Sequence, residues 1–191
     1  ILNGSSLLVG SPLGAGFTES AMISIINLST TQAQSSHAYI ILSASEDHKH
    51  VYEQRLKLLV GDEIPMNIIT NLERFVAPTT QATILISTPQ EFHNYLEQSS
   101  TNRDLSYTLL LTETDEMVAR GAKPQLLALS TYLSKTCQTI ICTSKITKSV
   151  KAISKSLQHK PKWFTLGPNN KETANIAHQA WPVPKTMKDQ L

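Results

Sequence analysis

The sequence has few cysteines and no long apolar run, and both absences narrow the classes of protein to which it can belong. Only two cysteines, Cys137 and Cys142, occur in 191 residues. They lie near or within a run typical of a buried strand, so we interpret them as core residues rather than as a disulfide or redox pair. No apolar run approaches the roughly 18 to 20 residues that span a bilayer, and no signal-peptide pattern opens the chain. We therefore expect no membrane association and a reducing, cytoplasmic location.

The sequence also lacks the spacing of a metal site and any internal repeat. His48 and His50 are two residues apart, without the cysteines or carboxylates that would indicate zinc, so we expect no metal site. His37, His93 and His178 stand alone, and we interpret them as surface or packing residues. A length of 191 residues with 40% hydrophobic content is that of one globular domain.

Positive charge is concentrated towards the end of the chain. The net charge is +2, but residues 1–143 contain 8 Lys and Arg against 13 Asp and Glu, whereas residues 144–191 contain 9 against 2. Lys145, Lys148, Lys151 and Lys155 recur at helical spacing. This pattern indicates either a solvated helix face or a surface for nucleic acid or another acidic partner, and charge alone does not decide between them.

Short apolar, β-branched runs alternate with longer amphipathic stretches. The runs predict buried strands at residues 6–9, 38–42, 67–70, 83–87, 107–111 and 139–142. Apolar positions three and four apart predict helices over residues 18–30, 47–60, 90–98, 123–134 and 147–157. Strand followed by helix, repeated, predicts a three-layer α/β fold with a mainly parallel sheet and helices on both faces. Ligands of such a sheet bind at the carboxyl ends of its strands.

A glycine-rich turn, residues 10–18 (GSPLGAGFT), follows the first predicted strand and opens a helix, as a phosphate-binding loop does. A working loop points backbone N–H groups at the phosphates, and it uses a Lys beside a Ser or Thr to neutralise charge and hold magnesium. Gly14, Gly16 and Thr18 keep their places, but Phe17 replaces the Lys. An aromatic ring cannot replace an ammonium group and could itself fill the place of the phosphates. We therefore interpret Gly14, Gly16 and Thr18 as vestigial cofactor-binding residues.

Further segments follow in the order that is typical of DEAD-box helicases. Residues 43–48 (SASEDH) are similar to that family's PTRELA segment and residues 88–91 (TPQE) to its TPGR segment. Residues 112–115 (TETD) occupy the DEAD position, and residues 143–145 (TSK) occupy that of SAT. The residues matching the run after the DEAD segment are Met117, Gly121, Pro124 and Gln125. Over nearly its whole length, the chain resembles the N-terminal RecA-like domain of the DEAD-box helicase family.

This resemblance implies a RecA-like fold of the P-loop NTPase type and a division of the chain. Residues 1–167 would form the RecA-like helicase N-terminal domain, and residues 168–191 would be a linker towards a second RecA-like domain. Pro168, Pro182 and Pro184 are typical of such an extended link. The sequence begins at Ile1 rather than at Met, so we expect it to be part of a longer protein.

The resemblance also indicates what the substitutions do to the chemistry. In working members the first carboxylate of the DEAD segment holds the magnesium shell and the second polarises the attacking water. Here Thr112 takes the first position, while Glu113 and Asp115 keep the second and the last. Losing one such preorganised contact typically costs about 3 kcal/mol. With Phe17 and Thr112 both altered, we expect no catalytic residues, no enzymatic activity, and weak or lost binding of ATP and magnesium.

Two alternatives stay open for what remains of the site. Glu113 and Asp115 could serve only as carboxylates at a helix N-terminus, which the helix dipole favours. The glycines alone could still bind nucleotide weakly. Because Thr143 and Ser144 replace the segment that couples the ATP site to RNA in the family, we expect that coupling to be weak.

RNA contact would fall on two segments. In the family, RNA phosphates lie on helix N-termini and side chains that map here to residues 43–46 and 88–91, so the RNA-binding candidates are Ser45, Glu46, Thr88 and Pro89. The family's two basic side chains are replaced by Ser45 and Glu91. A carboxylate beside a phosphate path is repulsive, although backbone N–H donors persist whatever the side chains.

The resemblance therefore predicts a helicase-like domain that works by binding rather than by catalysis. The first hypothesis is a scaffold or RNA-associated module in RNA processing or silencing, with protein partners, the second RecA-like domain and RNA as partners. The alternatives are an RNA-dependent ATPase with unorthodox motifs and an ATP-independent RNA clamp. The decayed motifs are similar to those of helicase-like modules in Tudor-domain piRNA factors of the Yb type, which would imply a location in RNA granules.

Overall fold

The computed structural model describes residues 1–12, 14–31, 37–61, 64, 66–75, 82–98, 106–133 and 137–166. Its strands are Leu7–Gly10 (β1), His37–Leu42 (β2), Met66–Ile69 (β3), Ala82–Ser87 (β4), Ser106–Leu111 (β5), Gln138–Thr143 (β6) and Lys162–Thr165 (β7). Its α-helices are Phe17–Thr31 (α1), Glu46–Val60 (α2), Pro89–Gln98 (α3), Thr114–Ala119 (α4), Lys123–Ala128 (α5) and Lys148–Leu157 (α6). Within the described ranges, two short 3₁₀ turns lie at Leu72–Arg74 and Leu129–Thr131.

The seven strands form one sheet in the order β3-β4-β2-β5-β6-β1-β7, and every pair of neighbours is parallel. The prediction of a mainly parallel sheet is therefore confirmed. Because a parallel connection needs a long crossover, helices intervene between most strands and cover the sheet. All strands run in the same direction. The loops that follow them therefore lie together at the edge formed by the carboxyl ends of the strands.

Two hydrophobic clusters, one on each face of the sheet, form the core. Residues of α1 and α2, such as Met22 and Leu56, pack on one face with Val9. Residues of α3 to α6, such as Phe92 and Val150, pack on the other face. These layers confirm the predicted three-layer arrangement, since alternate residues of each strand face opposite helices.

The predicted elements differ from the observed ones mainly at their ends. Each of the six predicted strands is present with its bounds shifted by no more than one residue. The predicted helix over residues 123–134 is shorter, because α5 ends at Ala128 and a 3₁₀ turn continues to Thr131. Helix α4 and strand β7 were not predicted. Strand β7 has four exposed residues, so it lacks the buried apolar pattern that identified the other strands.

Both cysteines are free thiols buried in the sheet region, which confirms their assignment to the core. Burial raises the pKa of Cys137 to about 12, so this thiol is unreactive at neutral pH. None of the helices in the described ranges has the length and apolar character needed to cross a bilayer. The predicted linker at residues 168–191 and His178 lie outside the described residues, so that division of the chain stays a prediction.

Candidate functional site

The loops at the carboxyl ends of the strands contact one another directly. Ser11, after β1, donates its N–H to the carbonyl of Thr143 at 2.9 Å, and Ser43, after β2, donates to the carbonyl of Ser87 at 2.9 Å. Thr112, after β5, donates its N–H to the carbonyl of Leu42 at 3.1 Å. These bonds bring the phosphate-loop, PTRELA-like, TPGR-like, DEAD-position and SAT-position segments to one edge of the sheet, as the sequence predicted.

Two glycines of the glycine-rich turn adopt backbone conformations that other residues rarely adopt. Gly14 and Gly16 have φ angles of 79° and 72°, in the left-handed region where a Cβ is unfavourable. Helix α1 starts at Phe17, and the N–H of Ser20 donates to the carbonyl of Gly16 at 3.0 Å. The turn therefore keeps a loop-to-helix geometry although it lacks the lysine.

A cleft of about 320 Å³ opens beside this turn. Its walls include Gly14, Gly16, Phe17 and Thr18 from the turn and Glu113 from the loop after β5. Phe17 is half-buried and packs against the apolar cluster of α1, α2 and the sheet. The residue in the lysine position therefore serves hydrophobic packing and places an aromatic ring, rather than an ammonium group, in the cleft wall.

Thr112, which replaces the first acid of the DEAD segment, is fully buried. Its hydroxyl donates to the carbonyl of Leu42 at 2.8 Å, and Thr112 does not line the cleft. A buried hydroxyl needs such a partner, because an unsatisfied one is costly. Thr112 therefore ties β5 to β2 and presents neither charge nor a free oxygen to the cleft.

Glu113 is held in an uncommon conformation at the cleft. Its φ of 45° and ψ of 48° lie in the left-handed region, which costs a non-glycine residue free energy. Its Oε2 lies 2.8 Å from Nδ1 of His48, without the alignment of a hydrogen bond. Burial raises the pKa of Tyr52, whose hydroxyl also interacts with Thr112 and Glu113. The carboxylate in the general-base position thus contacts side chains of α2.

Three further residues of the cleft were not predicted as site residues. Arg55 and Glu19 form an ion pair that joins α2 to the first turn of α1, and both line the cleft with Tyr52. His48, Tyr52 and Arg55 are spaced at i, i+4 and i+7, so they share one face of α2. That spacing is the sequence signal by which this side of the cleft could have been found.

Asp115, the last residue of the DEAD position, binds the SAT-position segment. One of its oxygens accepts hydrogen bonds from the Thr143 hydroxyl and the Ser144 N–H, each at 3.0 Å, and the other accepts one from the Ser144 hydroxyl. Burial raises the pKa of Asp115, but these bonds outweigh burial and hold the pKa below its ordinary value. Thr143 and Ser144 thus supply the donors that this carboxylate needs, whereas the expected weak coupling of the ATP site to RNA stays a prediction.

The two candidate RNA segments are joined by a lysine that sequence analysis missed. Lys49 is buried, and its Nζ lies 2.6 Å from an oxygen of Glu46 and 3.2 Å from one of Glu91. Burial lowers the pKa of Lys49, but the two carboxylates outweigh burial and raise it. Glu91 therefore has a cation partner within the domain, and Glu46 shares it.

The N-termini of α2 and α3 are capped by side chains. The Ser45 hydroxyl accepts the N–H of His48 at 3.3 Å, which begins α2. The Thr88 hydroxyl accepts the N–H of Glu91 at 3.3 Å, and Glu91 accepts the Thr88 N–H at 3.0 Å, which is a capping box. Pro89 is the first residue of α3 and lacks an N–H. Part of the donor capacity that would bind a phosphate is thus used within the domain.

The donors around the cleft do not match those that a magnesium–triphosphate group needs. Such a group requires a cation at the phosphates and an acid beside the Ser or Thr that holds the metal. Thr18 and Glu113 line the cleft, but Phe17 and the buried Thr112 occupy the other two positions. Within the described residues, no group of three or more His, Cys, Asp or Glu side chains is placed to hold a metal ion.

Comparison with known proteins identifies the family of the chain. A sequence model of the DEAD/DEAH box helicase family matches residues 1–153. The chain belongs to this family. The DEAD/DEAH box domain is also 22% identical over 182 residues to the probable ATP-dependent RNA helicase DDX59 of human and of mouse. It covers 29% of each of those proteins, and they cover 92% of the chain.

Solved structures of DEAD-box proteins share the fold of this DEAD/DEAH box domain. A DEAD box protein from Methanococcus jannaschii superposes with a TM-score of 0.70 at 18% identity, over 92% of this chain and 48% of that one. The Dbp5 L327V protein of S. cerevisiae, bound to Nup159, Gle1 H337R, IP6 and ADP, gives a TM-score of 0.66 at 15% identity, over 85% of this chain and 44% of that one. The chain thus has the fold of DEAD-box RecA-like domains and spans less than half the length of these structures.

Proposed function

We propose that this chain is a catalytically inactive DEAD-box helicase-like domain that acts as a scaffold or RNA-associated binding module. The observation that carries the proposal is the pair Phe17 and Thr112. The ring of Phe17 packs with an apolar cluster, and the hydroxyl of Thr112 is bonded to the carbonyl of Leu42. Both side chains serve packing and folding, which leaves no cation and no metal-holding acid at the two positions.

The setting that we propose is an assembly for RNA processing or RNA silencing. Its partners would be proteins of that assembly, RNA and a second RecA-like domain of the same protein. A cytoplasmic location, including RNA granules, and a kinship with helicase-like modules of Tudor-domain piRNA factors fit a family member with such decayed motifs. Support comes from the family and from DDX59, whose name describes a probable RNA helicase.

Isothermal titration with a non-hydrolysable ATP analogue and magnesium tests the loss of nucleotide binding. We expect no heat of binding from the chain under conditions in which a competent DEAD-box domain binds. Phe17 supplies no cation and Arg55 is already paired with Glu19, so the phosphates would meet a wall that also carries Glu113. Binding in the micromolar range would refute the proposal.

A second candidate is an RNA-dependent ATPase with unorthodox motifs. Glu113 lines the cleft beside Arg55, and Asp115 keeps its bonds to Thr143 and Ser144. Arg55 would then supply the cation that Phe17 does not. Phosphate release by the full-length protein with RNA decides this case: a rate equal to that of buffer eliminates it, whereas a rate that Glu113→Gln and Arg55→Ala both abolish would establish it.

An ATP-independent RNA clamp is the third candidate, because some helix donors of the PTRELA-like and TPGR-like segments persist. Fluorescence anisotropy with single-stranded RNA over a salt series separates a clamp from a scaffold. Phosphate contacts must produce a steep fall of affinity with salt. A Glu91→Gln variant would then bind RNA more tightly than the natural chain, because it removes a carboxylate from the proposed phosphate path, and unchanged affinity would argue against that path.

A further inference from the structure

Strand β7 is an edge strand that is exposed along its whole length. It is the last strand in the sheet order, with β1 as its neighbour. Trp163 is 52% exposed, Phe164 is 50% exposed and Leu166, directly after the strand, is 48% exposed. An edge strand with large apolar side chains is a template for pairing with another chain, unless charge or covering segments protect it.

The backbone of β7 offers hydrogen-bonding groups on its outer side. Lys162 donates its N–H to the carbonyl of Ser6 at 3.0 Å, and Leu166 donates to the carbonyl of Gly10 at 2.9 Å. Since alternate residues of a strand direct their N–H and carbonyl groups to opposite sides, those of Trp163 and Thr165 point away from β1. In the described part of the chain, no strand pairs with that side.

One face of this edge is basic. Trp163 is in register with Leu8, whose cluster contains residues of α6, and the Nζ of Lys151 lies 5.9 Å from the centre of the Trp163 ring. Lys148 and Lys155 are exposed on the same helix at helical spacing from Lys151. Residues 144–166 contain neither Asp nor Glu, and α6 places the exposed Lys148, Lys151 and Lys155 here. This face therefore attracts negative charge.

The other face of the edge is apolar beyond Lys162, which is in register with Leu7 at the start of the strand. Phe164 is in register with Val9, and both line a groove of about 630 Å³ with Leu7, Phe17 and Leu166. This groove lies on the side of the sheet that carries α1. Because successive side chains of a strand point to opposite faces, a strand added beside β7 would alternate between the basic face and the apolar groove.

We propose that β7 binds an extended segment of a partner protein in which acidic and apolar residues alternate. Its backbone would pair with Trp163 and Thr165, its acidic side chains would lie beside the lysines of α6, and its apolar side chains would enter the groove. This is strand addition at a sheet edge, in which backbone bonds give affinity and alternate side chains give specificity. The inference rests on the proposed scaffold function and names the chemistry of its partner.

RNA fits this edge less well than such a peptide. Lys151 already covers the Trp163 ring, on which a base would have to stack. The groove beside Phe164 is lined mostly by aliphatic and aromatic side chains, which cannot bind phosphates. A peptide uses both faces, whereas RNA would use the lysines alone.

The test uses the 191-residue chain and a fluorescein-labelled peptide of about eight residues in which Glu alternates with Leu. We expect micromolar binding by anisotropy, and at least about tenfold weaker binding of a matched peptide in which Lys replaces Glu. Thr165→Pro removes an outward N–H without removing a bond to β1. This variant should weaken binding of the Glu peptide by a similar factor. Thr165→Val keeps the N–H and should bind as the natural chain does.

A second variant, Lys151→Glu with Lys155→Glu, keeps the test decisive if proline unfolds the edge. It should abolish binding of the Glu peptide while circular dichroism stays unchanged. Equal affinity for the Glu and Lys peptides, or binding that neither variant alters, would overturn the proposal. So would capture of single-stranded RNA, but not of the Glu peptide, by these lysines. ATP titration is a separate measurement, so failure here is distinguishable from failure of the proposed function.

Discussion

Lys49 has a side chain only 7% exposed, and its ammonium group is shared by Glu46 and Glu91. The resemblance to the family's TPGR segment places Glu91 at the position of its arginine, which would reverse the charge there. Lys49 of α2 neutralises this carboxylate. An isolated charge would be expensive to bury, so each partner of this cluster depends on the others.

Replacing Lys49 by Met should destabilise the domain by about 2 kcal/mol, because Glu91 would lose its cation partner. The loss is smaller than for a fully buried pair, since Glu46 and Glu91 remain partly exposed to water. Urea unfolding followed by circular dichroism measures it. Lys57→Met is the matched control: its pair with Glu53, at 2.7 Å, has a lysine that is 61% exposed, so the change should be below about 0.5 kcal/mol.

Phe17 and Thr112 also act at the scale of single residues, and the prediction of an altered nucleotide site depends on their identities. Side-chain chemistry can be judged from the sequence once the position is assigned. Where those side chains point could not be judged, because Phe17 packs with residues of other elements and Thr112 bonds to β2. The partner of Glu91 was missed for the same reason: Lys49 lies 42 positions away along the chain.

Helix α3 shows how local sequence begins an element. Residues 88–91 (TPQE) have the spacing of a capping box and a proline at the first helical position. The helix starts where both signals predict it. The same four residues resemble a functional segment of the family. Here the Thr88 hydroxyl and the Glu91 carboxylate bond to each other's backbone, so the segment serves its own helix.

Thr88→Ala should destabilise the domain by about 1 to 2 kcal/mol, because it removes the cap of the Glu91 N–H and one donor to the Glu91 carboxylate. Thr88→Ser keeps the hydroxyl and should stay within about 0.5 kcal/mol of the natural chain. Thermal and urea unfolding of both variants checks the difference. Equal losses for Ala and Ser would show that the methyl group, rather than the hydroxyl, supports α3.

At the scale of the whole molecule, two half-buried carboxylates should make the free energy of unfolding depend on pH in acid. Glu91 and Asp115 have pKa values below their ordinary values of 4.5 and 3.8, because hydrogen bonds from Thr88 and Ser144 and the charge of Lys49 outweigh burial. The folded state thus releases these protons more readily than the unfolded state. Their contribution is present above the ordinary values and is lost as pH falls through the lower folded values.

Asp115→Asn should lower the free energy of unfolding at neutral pH by about 1 to 2 kcal/mol, since hydrogen bonds to a charged acceptor are the stronger ones. The gap between natural chain and variant should begin to shrink as pH falls below the ordinary value of 3.8, where the unfolded chain takes up the proton, and should close as pH falls through the lower folded value. Urea midpoints across acidic buffers measure this. Asp47→Asn, at an exposed position of α2, should change neither the neutral stability nor the acid slope much.

Two kinds of information decided the fold and the site. Apolar periodicity and turn residues lie within each segment, so the order of the six predicted strands and five predicted helices, and the family resemblance, followed from the sequence by itself. The loss of a cation at Phe17 stays a prediction from the sequence. The contacts of Asp115 with Ser144, the ion pairs of Lys49 and the exposed edge at β7 were decided only by the tertiary structure. These contacts join residues that are distant along the chain, and strand order within the sheet, which no local pattern encodes, determines which of them meet.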